Sequence, residues 1–388
     1  MLNRQERSPT LGHREELRAR MHSFTSERII LYGDAHRPGS GGFCYAETLR
    51  DMGHEVFCAS DDALLQHYSV FPHRLIRRVL RAPLERDRRL HAATLVALAA
   101  AKRPSIVIVL KGLYIGAPEV RALQALGAWV VNINHDDFFS QNPNNWSWTQ
   151  RDAVAHYDFV FVTREVNVEE IRSINPRVEL MPFAYYPRIH RPVAIPAAER
   201  DVWQSDVVFV GTWELERCRM LEHLVRHVPA RYAIWGNLWG RAGAKSPLRP
   251  HIRGRGVVVD DMCKAIGGSE IALAFLRKKN RDDYTQRTFE IPACGGLLLA
   301  ERTPRHQAYY QEGIEAEFFD AAAPDELVRK VRELLANSER RDSLRQRGRE
   351  ALQAQHHTYR DRLDRLLTVY SQSSRAVDGR QPIAVTCG

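Results

Sequence analysis

The stretch from Tyr284 to Ala300 restricts the fold more than any other part of the chain. It ends in Leu297-Leu298-Leu299-Ala300, a run without polar alternation and so without a face to offer to water. A strand of that composition has to be covered on both sides, which calls for a parallel sheet with helices above and below. The residues ahead of it agree. The polar segment Lys278 to Asp283 reads as a loop, the segment bearing Arg287 and Glu290 as a helix, and Cys294-Gly295-Gly296 as the turn into the strand. Loop, helix, turn and buried strand make one unit of an α/β layer.

The same grammar recurs on either side. Arg28 to Tyr32 reads as a first strand, followed by a glycine-rich loop from Gly33 to Gly42, a helix to about Met52 and a second strand near Val56. Cys44 stands where Gly-x-Gly-x-x-Gly needs its third glycine, and no acid follows the second strand before Asp61, which argues against a dinucleotide site. Strands are expected at Ser105–Leu110, Ala128–Ile133, Tyr157–Thr163 and Val178–Pro182. A second series starts at Asp206–Thr212 and continues through Tyr232–Trp235 and Ile271–Leu276. At 388 residues the chain has room for two cores. The expected division is a mobile segment over 1–25, a Rossmann-like domain over 26–185, a proline-rich linker over 186–205, a second domain over 206–352, a helix over 353–372 that crosses back, and a tail over 373–388.

Two clusters carry chemistry. A loop feeding a helix N-terminus exposes backbone N–H groups, here around Tyr284 and Thr285, and suits a diphosphate. Arg287 can reach an anion from the first turn, and Glu290 lies on the same helical face, where a carboxylate suits ribose hydroxyls. The competing reading is an ordinary surface Arg and Glu. The second cluster, His135-Asp136-Asp137, follows an apolar strand, and open α/β sheets bind ligands beyond strand C-termini. His135 and Asp136 could orient an acceptor hydroxyl or take its proton. Phe138, Phe139, Trp146 and Trp148 could stack on a sugar, or the acids could simply cap a helix. Gly211 closes the strand at 206–212, and Gly236-Asn237 suits the edge of a base pocket.

Arg287-Thr288-Phe289-Glu290 followed by Ala293-Cys294-Gly295-Gly296 resembles the donor-site signature of GT-B glycosyltransferases, most of all the CgeB-like (spore maturation protein) branch. It is also similar to the Glu-x7-Glu motif of the larger retaining family, with Glu290 as the second acid and Asp282 in place of the first. The likeness covers residues 206–370 well and the first half loosely. It implies two Rossmann-like domains facing each other across a cleft. It further implies a nucleotide-diphosphate sugar held by the second domain, Arg217 gripping the diphosphate, and Gly41-Gly42-Phe43 as the glycine loop of the first domain. Transfer to a glycan, lipid-linked or protein acceptor is expected, without metal or other cofactor and with retention of configuration; for inversion, Asp136 or His135 would be the base. A sugar-nucleotide 2-epimerase and a non-catalytic nucleotide-sugar-binding partner protein share this architecture and stay open.

Other chemistries lack their signatures. No Asp-x-Asp, nucleophile elbow, phosphate-binding P-loop or zinc finger occurs, and His223 and His227 read as surface histidines. The six cysteines are scattered, as in a reduced cytoplasmic protein. The polar start has no apolar core for a secretory signal, and Lys102-Arg103-Pro104 interrupts the longest candidate membrane span. A net charge of +9 points to an anionic partner. Nucleic acid is not expected. Residues 73–91, with seven arginines against two acids and apolar residues between them, are expected to touch an anionic membrane face, which places the enzyme in the cytoplasm with a peripheral attachment.

Overall fold

The computed structural model describes residues 26–73, 75, 83–140 and 145–378. Two six-stranded sheets carry the chain. The first holds β1 (Arg28–Tyr32), β2 (Glu55–Ala59), β3 (Ile106–Leu110), β4 (Trp129–Asn134), β5 (Phe159–Val162) and β6 (Val178–Leu180), in the order β2-β1-β3-β4-β5-β6. The second holds β7 (Ser205–Val210), β8 (Tyr232–Trp235), β9 (Ile252–Gly254), β10 (Ser269–Ala274), β11 (Leu298–Glu301) and β12 (Glu317–Phe319), in the order β12-β11-β10-β7-β8-β9. Every pairing is parallel. Parallel neighbours need crossover connections, and the helices in those crossovers cover both faces. The apolar run that called for this arrangement is β11, buried along its length and paired with β10 on one side and β12 on the other.

Each sheet reverses direction once. The chain builds outward from β1 to β2 and then returns to add β3 on the other side; likewise it leaves β7 through β8 and β9 and returns at β10. The crevice at such a reversal opens beyond the C-terminal ends of the strands. Several elements depart from expectation: β12 is not foreseen, the last helix runs over Tyr359–Asp378 rather than 353–372, and two further cases have a visible cause. β10 stops at Ala274 rather than Leu276, because the Leu276 amide donates to the Glu301 carboxylate (2.8 Å) instead of to a strand. β9 has no apolar alternation to announce it: Arg253 and Gly254 are exposed at the sheet edge.

The proline-rich segment after β6 is not loose. Tyr185, Tyr186 and Ile189 are buried, and Arg200–Trp203 forms a short helix. The Tyr359–Asp378 helix packs on the first domain, with Leu363, Leu366 and Leu367 fully buried among Ile29, Leu31 and Ile133. That spacing is one face of a helix. Arg362 on the same helix donates to the carbonyls of Pro182 (2.8 Å) and Phe183 (2.9 Å).

Of the segment expected to meet a membrane, residues 74 and 76–82, with Arg77, Arg78 and Arg81, lie outside the described residues. The same holds for residues 1–25, 141–144 and 379–388. Arg88 does not serve a basic outer face. It is 6% exposed, pairs with Glu85 (2.8 Å) and Glu119 (3.3 Å), and donates to the Tyr114 carbonyl.

The loop after β10 ties the domains together. Arg281 grips the fully buried Asp137 through Nε and Nη2, the latter at 2.7 Å, and also reaches Glu170 (2.7 Å). In return, Arg164 of the first domain pairs with Asp282 of the second. Asn280 accepts the Asp137 amide (3.1 Å), and the Tyr284 hydroxyl donates to the Thr163 carbonyl (2.9 Å). Burial alone would raise the Asp137 carboxyl, but hydrogen bonds from Arg281 and Asn167 hold it below the usual carboxylate range. Replacing Arg281 by Met leaves Asp137 buried without its cation. Breaking a fully buried pair costs about 3–5 kcal/mol; with Arg281 37% exposed, a loss of about 2 kcal/mol is expected. A depressed carboxyl contributes stability above its unfolded value, so the gap between the two proteins in urea unfolding should be full at pH 7. It should close as the pH falls below about 4 and through the folded value. A gap that persists at low pH would show that Arg281 acts through packing instead.

Candidate active site

A cavity of about 340 Å³ lies between the domains, at the facing C-terminal edges of the two sheets. Its second-domain wall sits at the β7/β10 reversal: Phe209, Val210, Gly211 and Thr212 come from the end of β7, Ala274, Phe275 and Arg277 from the end of β10. Its first-domain wall is His135 and Asp136, directly after β4, with Arg164 after β5 and Phe183 after β6. Asn280, Asp282, Thr285, Gln286 and Arg287 complete it from the loop that joins the domains.

Four guanidinium groups border this space, and their partners differ. Arg277 donates to Glu214 (2.6 Å), Arg164 pairs with Asp282, and Arg287 pairs with Glu290 while donating to the Val210 carbonyl (3.1 Å). Arg217 is 8% exposed, donates to the Thr212 and Phe275 carbonyls (3.2 Å each), lies over the Phe209 ring, and has no carboxylate within ion-pair distance among the described residues. Its Nε has no hydrogen-bond partner. Burial pulls the Arg217 and Arg287 guanidinium groups down, Arg287 to about 10, so both stay charged at neutral pH. Glu214, Asp282 and Glu301 act on this buried cation only through space, so its direct hydrogen bonds to oxygen all go to carbonyls and an anion in the cavity could pair with it directly.

On the opposite wall His135 is stacked on Tyr45, whose hydroxyl lies 3.2 Å from Nε2. Burial lowers its imidazole to about 4, against the pull of Asp136, so the ring is neutral at pH 7. Asp136 accepts from Lys111 (2.7 Å) and is about a quarter exposed.

Sequence reasoning thus reaches His135, Asp136, Gly211, Arg217, Asp282, Thr285 and Arg287, which the fold brings to one cavity. It does not reach Arg164, Arg277, Asn280 or Gln286. Arg164 directly follows the Phe159–Val162 strand and Thr163, the position beyond a strand end that drew attention to His135, and that rule could have found it. Five candidates stand elsewhere. Tyr284 is 2% exposed and its hydroxyl is spent on the interdomain bond, while the Thr285 amide is taken by the Thr288 hydroxyl (3.1 Å). Glu290 is 2% exposed behind Arg287, with neutral His190 3.3 Å away. Gly41 borders the His135 ring, and a side chain on Gly42 would lie 2.4 Å from the Asp34 carbonyl oxygen, so packing explains that glycine. Gly236 borders a second space of about 800 Å³ with Thr212, Asn237, Trp239 and Arg255; a side chain there would strike the Gly211 carbonyl at 1.9 Å. Thr212 lines both spaces, so they adjoin. Among the aromatic candidates, Phe138 is fully buried and cannot stack on a ligand, whereas Trp148 is 75% exposed beside Trp146 and Arg151.

Residues 217–368 match the family model of a glycosyl transferase-like domain. No curated protein sequence matches the chain. Among solved structures, sucrose-phosphate synthase from Thermosynechococcus elongatus is similar with a TM-score of 0.63 at 14% identity, over 90% of this chain and 100% of that one. Trehalose 6-phosphate synthase from Burkholderia multivorans gives 0.62 at 14% identity, over 92% and 100%. HepE from Anabaena, solved in complex with UDP-glucose, gives 0.60 at 11% identity, over 91% and 99%. The fold is therefore GT-B: two parallel α/β domains with helices on their faces.

Three buried histidines around this region make a pH prediction. Burial lowers His190 to about 3, His306 to about 4 and His357 to about 3. Between those values and about 6.5, the unfolded chain binds protons that the folded chain does not, so stability rises with pH there and falls on acidification. Each contributes up to about 1.4 kcal/mol per pH unit. The urea midpoint should drop steeply from pH 6.5 to pH 5 and hardly change from pH 7 to pH 8. A flat profile below 6.5 would mean these rings are protonated in the folded state.

Proposed function

We propose that this chain is a glycosyltransferase that moves a sugar from a nucleotide-diphosphate donor to an acceptor held against its first domain. The observation that carries the reading is Arg217, a buried guanidinium facing the interdomain cavity without a carboxylate. The match of residues 217–368 to a glycosyl transferase-like domain and the UDP-glucose complex of a structural relative support it. In this reading the diphosphate occupies the cavity at the β7/β10 reversal, and the base extends into the adjoining space beside Gly236 and Asn237.

In the transfer step the anomeric C–O bond breaks and its electron pair leaves with the diphosphate. The acceptor oxygen forms the new bond, and in the retaining reading its proton passes to the diphosphate oxygen that leaves from the same face. The developing charge falls on Arg217 and Arg287, which are fixed in place before the reaction, so they need no reorganisation to stabilise it. That arrangement is our reason for proposing catalysis without metal. Retention is the reading that the Glu-x7-Glu resemblance supports. Should the enzyme invert, Asp136 or His135 is the candidate base, since both line the cavity on the first-domain side.

The test is incubation with a panel of nucleotide sugars, following nucleotide release with and without acceptor. Acceptor-dependent release supports transfer; a changed sugar nucleotide without acceptor marks an epimerase, and binding without turnover marks a partner protein. Arg217→Ala should lower turnover about 10²–10³-fold, with lysine a poor rescue. Normal turnover in Arg217→Ala would move the phosphate seat elsewhere. Glu290→Gln is a less clean probe, since it also strips Arg287 of its buried counter-charge and should lower the melting temperature as well as donor affinity.

We also propose that the acceptor is met at an anionic lipid surface. Phe71, Val70 and Leu75 are exposed beside the arginine-rich segment, Phe71 at 79%. Co-sedimentation should show binding to anionic but not neutral liposomes, reversed by salt and weakened in Arg77→Ser, Arg78→Ser, Arg81→Ser protein. Equal binding to both lipids, or to neither, would point to a soluble acceptor.

A further inference from the structure

Three side chains converge on the first domain, outside the interdomain cavity, that the proposed transfer does not use. His67 ends the Asp62–His67 helix, His73 follows the turn at Phe71-Pro72, and Asp87 stands in the first turn of the Glu85–Lys102 helix. One ligand atom from each lies within 4.8 Å of the other two. The His67 and His73 rings are 3.9 Å apart, centroid to centroid, and neither has a hydrogen-bond partner among the described residues. Asp87 is held in place from behind. The Leu84 amide donates to the Tyr68 oxygen (2.8 Å), which directs the Tyr68 proton to Asp87 (2.6 Å). Tyr68 is 1% exposed and packs with Leu64 and Tyr114, so this strut is rigid.

From this convergence we propose that His67, His73 and Asp87 form a binding site for a divalent transition-metal ion, with zinc the best match. Two imidazoles and one carboxylate suit zinc and its neighbours better than calcium or magnesium, which take oxygen donors. Bonds of about 2.0–2.1 Å in a tetrahedral site place ligand atoms roughly 3.4 Å apart. The residues present need a contraction of at most about 1.4 Å, within reach of a rotation of the exposed His67 ring. A hydrogen bond that orients a ligand from behind, as Tyr68 does for Asp87, is a regular companion of metal sites. Three protein ligands leave a fourth position to water, in keeping with the partial exposure of His73 and Asp87. The ion would join the end of one helix to the start of another and fix residues 73 and 87 at one point. These two residues bracket residues 74–86 of the arginine-rich segment, so the metal would tie the two ends of that stretch together.

The experiment is calorimetric titration of the chelator-treated full chain with zinc chloride in phosphate-free buffer. One ion should bind per chain, with a rise in melting temperature. His67→Ala, His73→Ala and Asp87→Asn should each weaken binding at least about tenfold; the asparagine keeps an acceptor for Tyr68, so its effect is not one of folding. His223→Ala, His227→Ala protein controls for the other close histidine pair, whose rings are 4.3 Å apart, and should bind zinc normally. Cobalt in place of zinc should give visible bands of tetrahedral intensity that vanish in His67→Ala. Absence of binding in the native chain, or native affinity in a His67→Ala, His73→Ala double variant, would overturn the assignment.

Discussion

Two crossed ion pairs set the geometry on which the cleft depends. Each domain lends an arginine to a buried aspartate of the other: Arg281 to Asp137, and Arg164 to Asp282. Charges this buried cannot be left single without a large desolvation cost, so each domain holds a group that is tolerable only when the other is in place. That mutual requirement fixes the spacing of the two sheet edges. Asn280 and Tyr284 add neutral hydrogen bonds to the same seam. The loop before the central helix is therefore both the joint between the domains and a wall of the cavity.

The electrostatics of the cavity follow from how these charges are shared. Asp282 is committed to Arg164 and Asn280, and Glu290 to Arg287, so the acids nearest the proposed sugar site already have cationic partners. Arg217 has none among the described residues. Arg217 therefore stands at the β7/β10 reversal with no directly paired carboxylate among the described residues, and neutral His135 lies opposite it. A diphosphate would complete the charge balance that the protein leaves open there. Trp148 and the Asp136–Lys111 pair lie on the first domain, against which we propose the acceptor is held.

Packing decides several positions that chemistry could have claimed. Gly42 is a glycine because the Asp34 backbone passes where a side chain would begin, and Gly236 because the Gly211 carbonyl does. The segment after β6 looks like a free tether in its prolines, but Tyr185, Tyr186 and Ile189 anchor it in the cores. The Tyr359–Asp378 helix inserts a leucine face into the first domain after the chain has completed the second. Chain continuity therefore crosses the seam twice, which supports the ion pairs in holding the halves together.

How much of this could be read from the chain alone differs between fold and site. Leu297–Ala300, and the other apolar runs ending in glycine or polar clusters, determine parallel sheets covered on both faces, because no other arrangement hides such strands from water. The spacing of Arg287 and Glu290 determines that they share a helical face, and the structure pairs them. Residues that follow strand ends, such as His135 and Asp136, were legible for the same reason. What remained hidden depends on distance in space rather than in sequence. Arg164 and Asp282 are 118 residues apart, and nothing local marks them as partners. Tyr284 looks like a donor-site residue until its hydroxyl is seen to reach Thr163 across the seam. The exposed edge strand β9 carries no pattern, since its residues bury too little for composition to record it. Local patterning wrote the sheets and helices; the meeting of two domains decided which charges are neutralised and which one is left to bind.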